Sequence, residues 1–197
     1  MAMTDLAPAT DRLCALLETV SDGDLGRPTP CTEYTVGDLL DHIRGVTVAW
    51  GGAAVKSSGD SSTMGPSGDA SNLDNGWRTS LPQRLREFAE AWSDPQAWTG
   101  MTRVGGNDLP AEVAGMALLG ELVVHGWDPA RATDQPFEPD PATLTTLYEN
   151  VRQTFGPGHD EARGDAFAPA VAVASDASPL DQTLGLLGRD PSWSSPR

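Results

Sequence analysis

Positive charge is scarce in this sequence. The chain of 197 residues has 13 lysines and arginines against 28 aspartates and glutamates, and its formal net charge is −15 at pH 7. Proteins that bind nucleic acids or anionic membranes need basic surfaces to neutralise phosphate groups. The lack of a basic stripe therefore argues against both kinds of partner, and the acidic surplus predicts a well-solvated surface.

Cysteine and long apolar runs are scarce as well. The two cysteines, Cys14 and Cys31, are too few for a disulfide framework, and such usage is typical of a reducing compartment. No apolar run approaches the roughly 20 residues of a membrane-spanning helix, and no leader-like apolar segment is visible near residue 1. We therefore expect a soluble, cytoplasmic protein.

The length suits a single domain, with a core over about residues 4–155 and a C-terminal extension over about 156–197. Apolar residues at helical spacing predict a first helix over about residues 4–20, a second helix that begins with a capping box at Thr35 and Asp38, and a third helix around residues 81–92. Between the second and third helices, residues 57–76 are rich in Ser, Gly, Asp and Asn. This composition predicts a flexible loop that borders a pocket without supplying a ligand.

The second half of the chain continues the helical pattern. Residues 98–109 contain Gly-Gly-Asn-Asp turn chemistry and predict a small β-hairpin, and Pro110 suits the first turn of the next helix. Asp140 and Pro141 predict the start of a further helix. Residues 167–173 read as a short β-like stretch, and a last helical segment lies near residues 179–187. The pattern indicates an all-α helical bundle with a small hairpin and a tail.

The stretch GELVVHGWD, residues 120–128, sets Glu121 and His125 into the most apolar run of the chain. Residues i and i+4 lie on the same face of a helix, and burial of either group without a partner is costly. His42 lies on another predicted helix, at the border of its apolar stripe. Two imidazoles and one carboxylate from facing helices make an incomplete ligand set, which is typical of a catalytic metal site.

Each of these residues also has a simpler interpretation. Glu121 and His125 could hydrogen-bond each other within the core, and His42 could be a half-exposed surface residue. Asp128 could accept a hydrogen bond from a ligating imidazole or be a plain carboxylate near the helix end. His159 lies among glycines and charged residues, which favours a solvated loop.

Further residues near the motifs are candidates for the pocket. Trp50 and Trp127 could line it, although aromatic residues at this spacing usually belong to a core. Cys31 could be a reactive thiol, although a small buried or loop cysteine is the favoured interpretation. Arg44 and Arg131 are the positive groups nearest the motifs, and either could bind a substrate carboxylate or lie exposed.

Three segments together resemble a known family: PTPCTEYTVGDLLDHIRG at residues 28–45, GELVVHGWDPARATDQP at 120–136 and FAPAVAVASDASPLDQTLGLLGRDP at 167–191. They resemble the actinobacterial DinB-like metal-binding proteins, which are related to the N-terminal domain of mycothiol-dependent maleylpyruvate isomerase. The resemblance implies a four-helix bundle that binds one divalent metal ion, usually zinc, through His42, Glu121 and His125. It also implies mycothiol as a possible cosubstrate.

The sequence departs from this family at two positions. Tyr34 stands where the family commonly has tryptophan, which is a mild change. Pro129 stands where the family usually has another residue. Since proline lacks an amide hydrogen and clashes with the carbonyl group of His125, we expect a kink or break just after the metal motif. The isomerase also has a second domain, for which we expect no counterpart in this chain.

The residues leave two functional classes open. The first is an enzyme in which the metal activates a nucleophile for attack on an electrophilic small molecule. With a thiol as the nucleophile it would be a thiol transferase or isomerase, and with water it would be a hydrolase. The second is a protein that binds a metal or ligand without turnover. Two histidines and one carboxylate also suit non-haem iron, so nickel, iron and manganese stay open beside zinc. A monomer and a homodimer both fit the sequence.

Overall fold

The computed structural model describes residues 3–57, 68–163 and 167–195. Within these ranges the chain is mostly helical, with six α-helices and one two-stranded antiparallel sheet, as the sequence predicts. The elements are α1 (Ala7–Leu17), α2 (Val36–Ala54), α3 (Trp77–Ala91), β1 (Met101–Val104), β2 (Asn107–Pro110), α4 (Ala111–Ala132), α5 (Pro141–Phe155) and α6 (Pro179–Leu186).

The predicted starts of α2 and α5 are confirmed by their side-chain caps. Thr35 accepts a hydrogen bond from the amide of Asp38, and the Asp38 carboxylate accepts one from the amide of Thr35. Asp140 accepts a bond from the amide of Thr143, and Pro141 occupies the first turn of α5. Each cap satisfies amide groups that the first helical turn leaves without partners.

The core lies where four helices meet. α1 packs against α3 and α4, and α2 packs against the same two helices, whereas α5 packs mainly against α6. Large apolar side chains fill the space between them and are less than 2% exposed; they include Leu13, Leu17, Leu39, Leu40, Leu81, Leu85, Leu118 and Leu119. Burial on this scale holds α2 and α4 in a fixed relation, and these two helices carry the candidate ligands.

The predicted hairpin is confirmed between α3 and α4. Thr102 on β1 pairs with Leu109 on β2, and the turn contains Gly105 and Gly106, both at positive φ. The buried hydroxyl group of Thr102 donates a hydrogen bond to the carbonyl group of Ala53 at 2.7 Å. The hairpin is therefore joined to the C-terminal end of α2 and leads directly into α4.

The described part of the predicted flexible loop is bonded to α2. The amide groups of Asp69 and Ala70 donate hydrogen bonds to the carboxylates of Asp41 and Asp38, at 3.1 and 2.8 Å. The side-chain amide of Asn72 donates to Asp41 at 3.0 Å. The central portion of the predicted loop, residues 58–67, lies outside the described residues.

Two features expected from the sequence are absent: a break in the helix just after the metal motif, and a strand at residues 167–173. α4 continues to Ala132 without a break at Pro129, because proline falls in the last turn of the helix and the carbonyl group of Pro129 is itself bonded by the amide and hydroxyl groups of Thr133. Residues 167–173 form no strand: Val171 donates one backbone hydrogen bond to Gly185, and a single bond makes no ladder.

Among the described residues, no helix has both the length and the apolar character needed to cross a bilayer.

Candidate metal centre

α2 and α4 bring His42, Glu121 and His125 together. Oε2 of Glu121 lies 3.4 Å from Nε2 of His42 and 3.3 Å from Nε2 of His125. The two imidazole rings stand edge to face, with their centroids 4.8 Å apart. One potential ligand atom from each side chain lies within 4.8 Å of the others, so the carboxylate and both imidazoles point at one small volume.

The contacts within this trio give partners to Glu121 and His125, which the apolar run of α4 would otherwise bury without any. The side chains of His42 and His125 are each 12% exposed, and that of Glu121 is 28% exposed. Two imidazole nitrogens and one carboxylate oxygen are the donor set of many zinc sites with an open coordination position. The residues present therefore fit a divalent metal ion.

The electrostatics of the trio couple Glu121 to the histidines. Burial alone would raise the pKa of Glu121, but hydrogen bonds and attraction to His125 and His42 hold its pKa far below the ordinary range. Burial alone would lower the pKa of His125, but hydrogen bonds and attraction to Asp128 and Glu121 raise its pKa to about 9. Without a metal ion, Glu121 is thus a carboxylate held between two imidazoles.

A second carboxylate orients His125. Oδ2 of Asp128 lies 3.0 Å from Nδ1 of His125, and because a carboxylate only accepts hydrogen bonds, Nδ1 must carry the proton. This arrangement leaves Nε2 directed at Glu121. Asp128 is fully buried, and the guanidinium group of Arg189 holds it through Nε to Oδ1 at 3.0 Å and Nη2 to Oδ2 at 3.1 Å.

A Schellman motif at the end of α6 turns the chain so that Arg189, in the tail, reaches Asp128. Gly188 has φ +80°, its amide donates to the carbonyl group of Gly185, and the amide of Arg189 donates to that of Leu184. Glycine suits this left-handed position because it has no Cβ. The reversal places Arg189 against α4, 61 residues from its partner Asp128.

A cavity of about 680 Å³ opens beside the trio, between α4, α5 and the tail. Glu121, His125 and Arg189 line one part of it, and apolar side chains including Leu147, Phe155 and Phe167 line much of the rest. Its size falls in the range of small-molecule sites. Two of the three candidate ligands therefore face a space that a substrate could enter.

The structure places the two arginines suggested by the sequence elsewhere. Arg44 pairs with Asp41 at 2.6 Å and its side chain is 41% exposed. Arg131 hydrogen-bonds the carbonyl group of Trp193 and lies 5.9 Å from the centroid of the Trp127 ring. Neither arginine lines the cavity.

The aromatic candidates belong mainly to the core. Trp50 and Trp127 are 7% and 5% exposed, and neither lines the cavity. Tyr34, which stands where the family commonly has tryptophan, has its ring 5.4 Å from that of His42. His159 lies exposed after α5, as the solvated-loop interpretation predicts.

Cys31 is a free, partly buried thiol close to this centre. Burial raises the pKa of Cys31, while the nearby charge of Arg189 opposes that rise. The thiol form is therefore favoured at neutral pH, and a reactive thiolate is disfavoured. Arg189 itself was missed by the sequence reasoning: the only signal was Gly188 at the end of a predicted helix, and it does not indicate which distant carboxylate the next residue reaches.

The comparisons with known proteins identify the family of this chain. The family model for the mycothiol maleylpyruvate isomerase N-terminal domain matches residues 6–130, which include the whole trio and Asp128. The chain is also 28% identical, over 92% of its length and 93% of theirs, to the uncharacterized proteins MT0763 and Rv0738 from two strains of Mycobacterium tuberculosis. No solved structure matches. The chain therefore belongs to the mycothiol maleylpyruvate isomerase N-terminal domain family.

Proposed function

We propose that the protein is a metal-dependent enzyme of the thiol-transferase or isomerase type, in which His42, Glu121 and His125 hold one divalent ion, with zinc as the preferred metal. The observation that carries this proposal is the convergence of three ligand atoms within 4.8 Å of one another at the wall of a 680 Å³ cavity. A purely structural zinc site takes four protein ligands, whereas a catalytic site takes three and leaves a position open.

The residues around the trio support a role in holding its geometry. Asp128 holds a proton of His125 on Nδ1, so that Nε2 is the nitrogen that would give up its proton and bind the metal. Arg189 neutralises Asp128 and holds it by two parallel hydrogen bonds. When bound, a divalent ion would lower the pKa of a coordinated thiol or water, giving a nucleophile at neutral pH.

We propose mycothiol as the thiol cosubstrate, because the matching family is described by its mycothiol-dependent isomerase. The apolar side chains that line much of the cavity would pack against an electrophilic small molecule bound beside the thiolate. We place this chemistry in the cytoplasm, since Cys14 and Cys31 are both free thiols. The packing of α1 and α2 on both α3 and α4 supports the four-helix bundle that the family resemblance implies.

Cobalt substitution tests this function directly. The cobalt-loaded protein is titrated with mycothiol, and a thiolate on the metal gives an intense charge-transfer absorption. We expect this band in the wild type and its loss in the His125→Ala variant. Mycothiol that gives no band with a fully cobalt-loaded wild type would contradict the thiol chemistry and favour hydrolysis or a role without turnover.

A further inference from the structure

The cavity beside the metal centre is an elongated groove that follows one face of α4. Its α4 wall is made by residues at helical spacing, namely Glu112, Val113, Met116, Ala117, Gly120, Glu121, Val124 and His125. At 1.5 Å per residue, the distance from Glu112 to His125 is about 20 Å. The opposite wall comes from α5 and the tail. The groove is thus much longer than the metal centre.

Gly120 keeps the middle of this groove open. It lies on the α4 wall, one residue before Glu121, and a Cβ added there would meet one atom, Cδ1 of Leu147, at an ordinary distance of 3.9 Å. Glycine inside a helix costs stability relative to residues with side chains. A larger residue at this position would enter the groove without meeting backbone.

The two ends of the groove differ in charge. Glu121 and Arg189 line the His125 end, where Arg189 holds the buried Asp128 behind the wall. With a divalent ion on the trio, the formal charges of Glu121, Asp128, Arg189 and the ion would leave a net charge of plus one. Glu112 lies at the other end. The surface between them is largely apolar, with Val113 51% exposed. The groove therefore offers an apolar channel with one end that attracts a single negative charge.

We propose that this groove binds an elongated apolar molecule with a single acidic head group, the head group at the His125 end and the apolar body along α4 towards Glu112. The head-group part rests on the metal centre of the proposed function. The body is recognised by burial, which strengthens binding roughly fourfold for each methylene group removed from water.

Calorimetric titration of the zinc-loaded protein with decanoate tests this site, and butyrate provides a ligand with the same head group and a short body. We expect saturable binding of decanoate and at least tenfold weaker binding of butyrate. Gly120→Leu should weaken decanoate binding at least tenfold and leave the zinc content unchanged. Ala117→Phe, on the exposed rim of the groove, provides a second obstruction should Gly120→Leu fail to fold.

Gly51→Leu is the matched control, because Gly51 also lies within a helix and a Cβ there would meet nothing within 4 Å. We expect this variant to bind decanoate as the wild type does. Equal decanoate affinity in the wild type and in folded Gly120→Leu and Ala117→Phe would overturn the site, as would equal affinities for decanoate and butyrate. If the wild type takes up no zinc but still binds decanoate, and Gly120→Leu abolishes that binding, the metal centre is overturned and the groove is retained.

Discussion

The two halves of the candidate site come from regions of different character. The region that the family model matches, residues 6–130, contains His42, Glu121, His125 and Asp128. The region beyond it contains Arg189 and the wall that α5 and the tail give to the groove. The first region supplies the atoms that could hold a metal ion. The second supplies Arg189, which bonds Asp128, and much of the apolar surface of the groove.

This difference separates the candidate metal ligands from much of the wall of the groove. The family match to residues 6–130 covers the candidate ligands, but it does not reach the surface that α5 and the tail give to the groove. The tail is nevertheless more than a cover, because Arg189 reaches the buried carboxylate that orients His125. Changes in the tail should therefore affect both the stability of the protein and its metal centre.

The largest effect should come from Arg189→Met. Asp128 is fully buried, and removal of one partner of a buried ion pair costs about 3–5 kcal/mol because a buried charge loses its counter-ion. We expect the free energy of unfolding, measured in urea, to fall by about that amount. Arg103→Met is the control, since Arg103 pairs with Asp108 on the exposed hairpin and such pairs contribute about 0–1 kcal/mol. Equal losses in the two variants would contradict the structural role of the tail.

Removal of the metal should have a smaller effect on stability. A ligand that binds only the folded state, at 100 times its dissociation constant, stabilises that state by about 2.7 kcal/mol. We expect a chelator to lower the melting temperature of the zinc-loaded protein while the helical circular dichroism is retained at 25 °C, since the leucine-rich core does not depend on the trio. Complete unfolding on chelation would make the centre structural and would count against the enzyme.

Asp128→Asn should weaken the centre without removing a ligand. Loss of the carboxylate that orients a ligating imidazole typically lowers metal affinity about 10–100-fold, and we expect a change of that size in zinc competition titrations. Asp41→Asn is the matched control, because Asp41 is a buried carboxylate on α2 that bonds Arg44, Asn72 and the Asp69 amide. Equal affinities in wild type and Asp128→Asn would show that Asp128 does not support the metal centre.

The sequence was informative where the signal is local. The capping box at Thr35 and the Asp140-Pro141 pair predicted where α2 and α5 begin, because caps act within one helical turn. The turn at Gly105 and Gly106 likewise predicted the hairpin. The i,i+4 spacing of Glu121 and His125 placed them on one helical face, as the structure has them.

The sequence failed where the outcome depends on contacts between distant segments. The Arg189–Asp128 pair joins residues 61 positions apart, and no periodicity links them. Residues 167–173 have strand-like composition, but a strand needs a neighbouring strand with which to pair. Here the amide of Val171 bonds a carbonyl group of the helix α6 instead. A proline breaks a helix when it lies in the interior, but Pro129 lies in the last turn of α4, which continues to Ala132.

The measurement that tests the central claim most directly is the metal content of the purified protein and of its His125→Ala variant, by elemental analysis. Nε2 of His125 lies 3.3 Å from the Glu121 carboxylate, and the Nε2 of His42 lies 3.4 Å from the same oxygen. We predict one divalent ion for each wild-type chain and a clearly lower metal content in His125→Ala, because loss of a ligand should weaken binding by more than the ~10–100-fold expected when only a supporting hydrogen bond is lost. A folded His125→Ala variant that retains as much metal as the wild type would contradict the assignment of this centre.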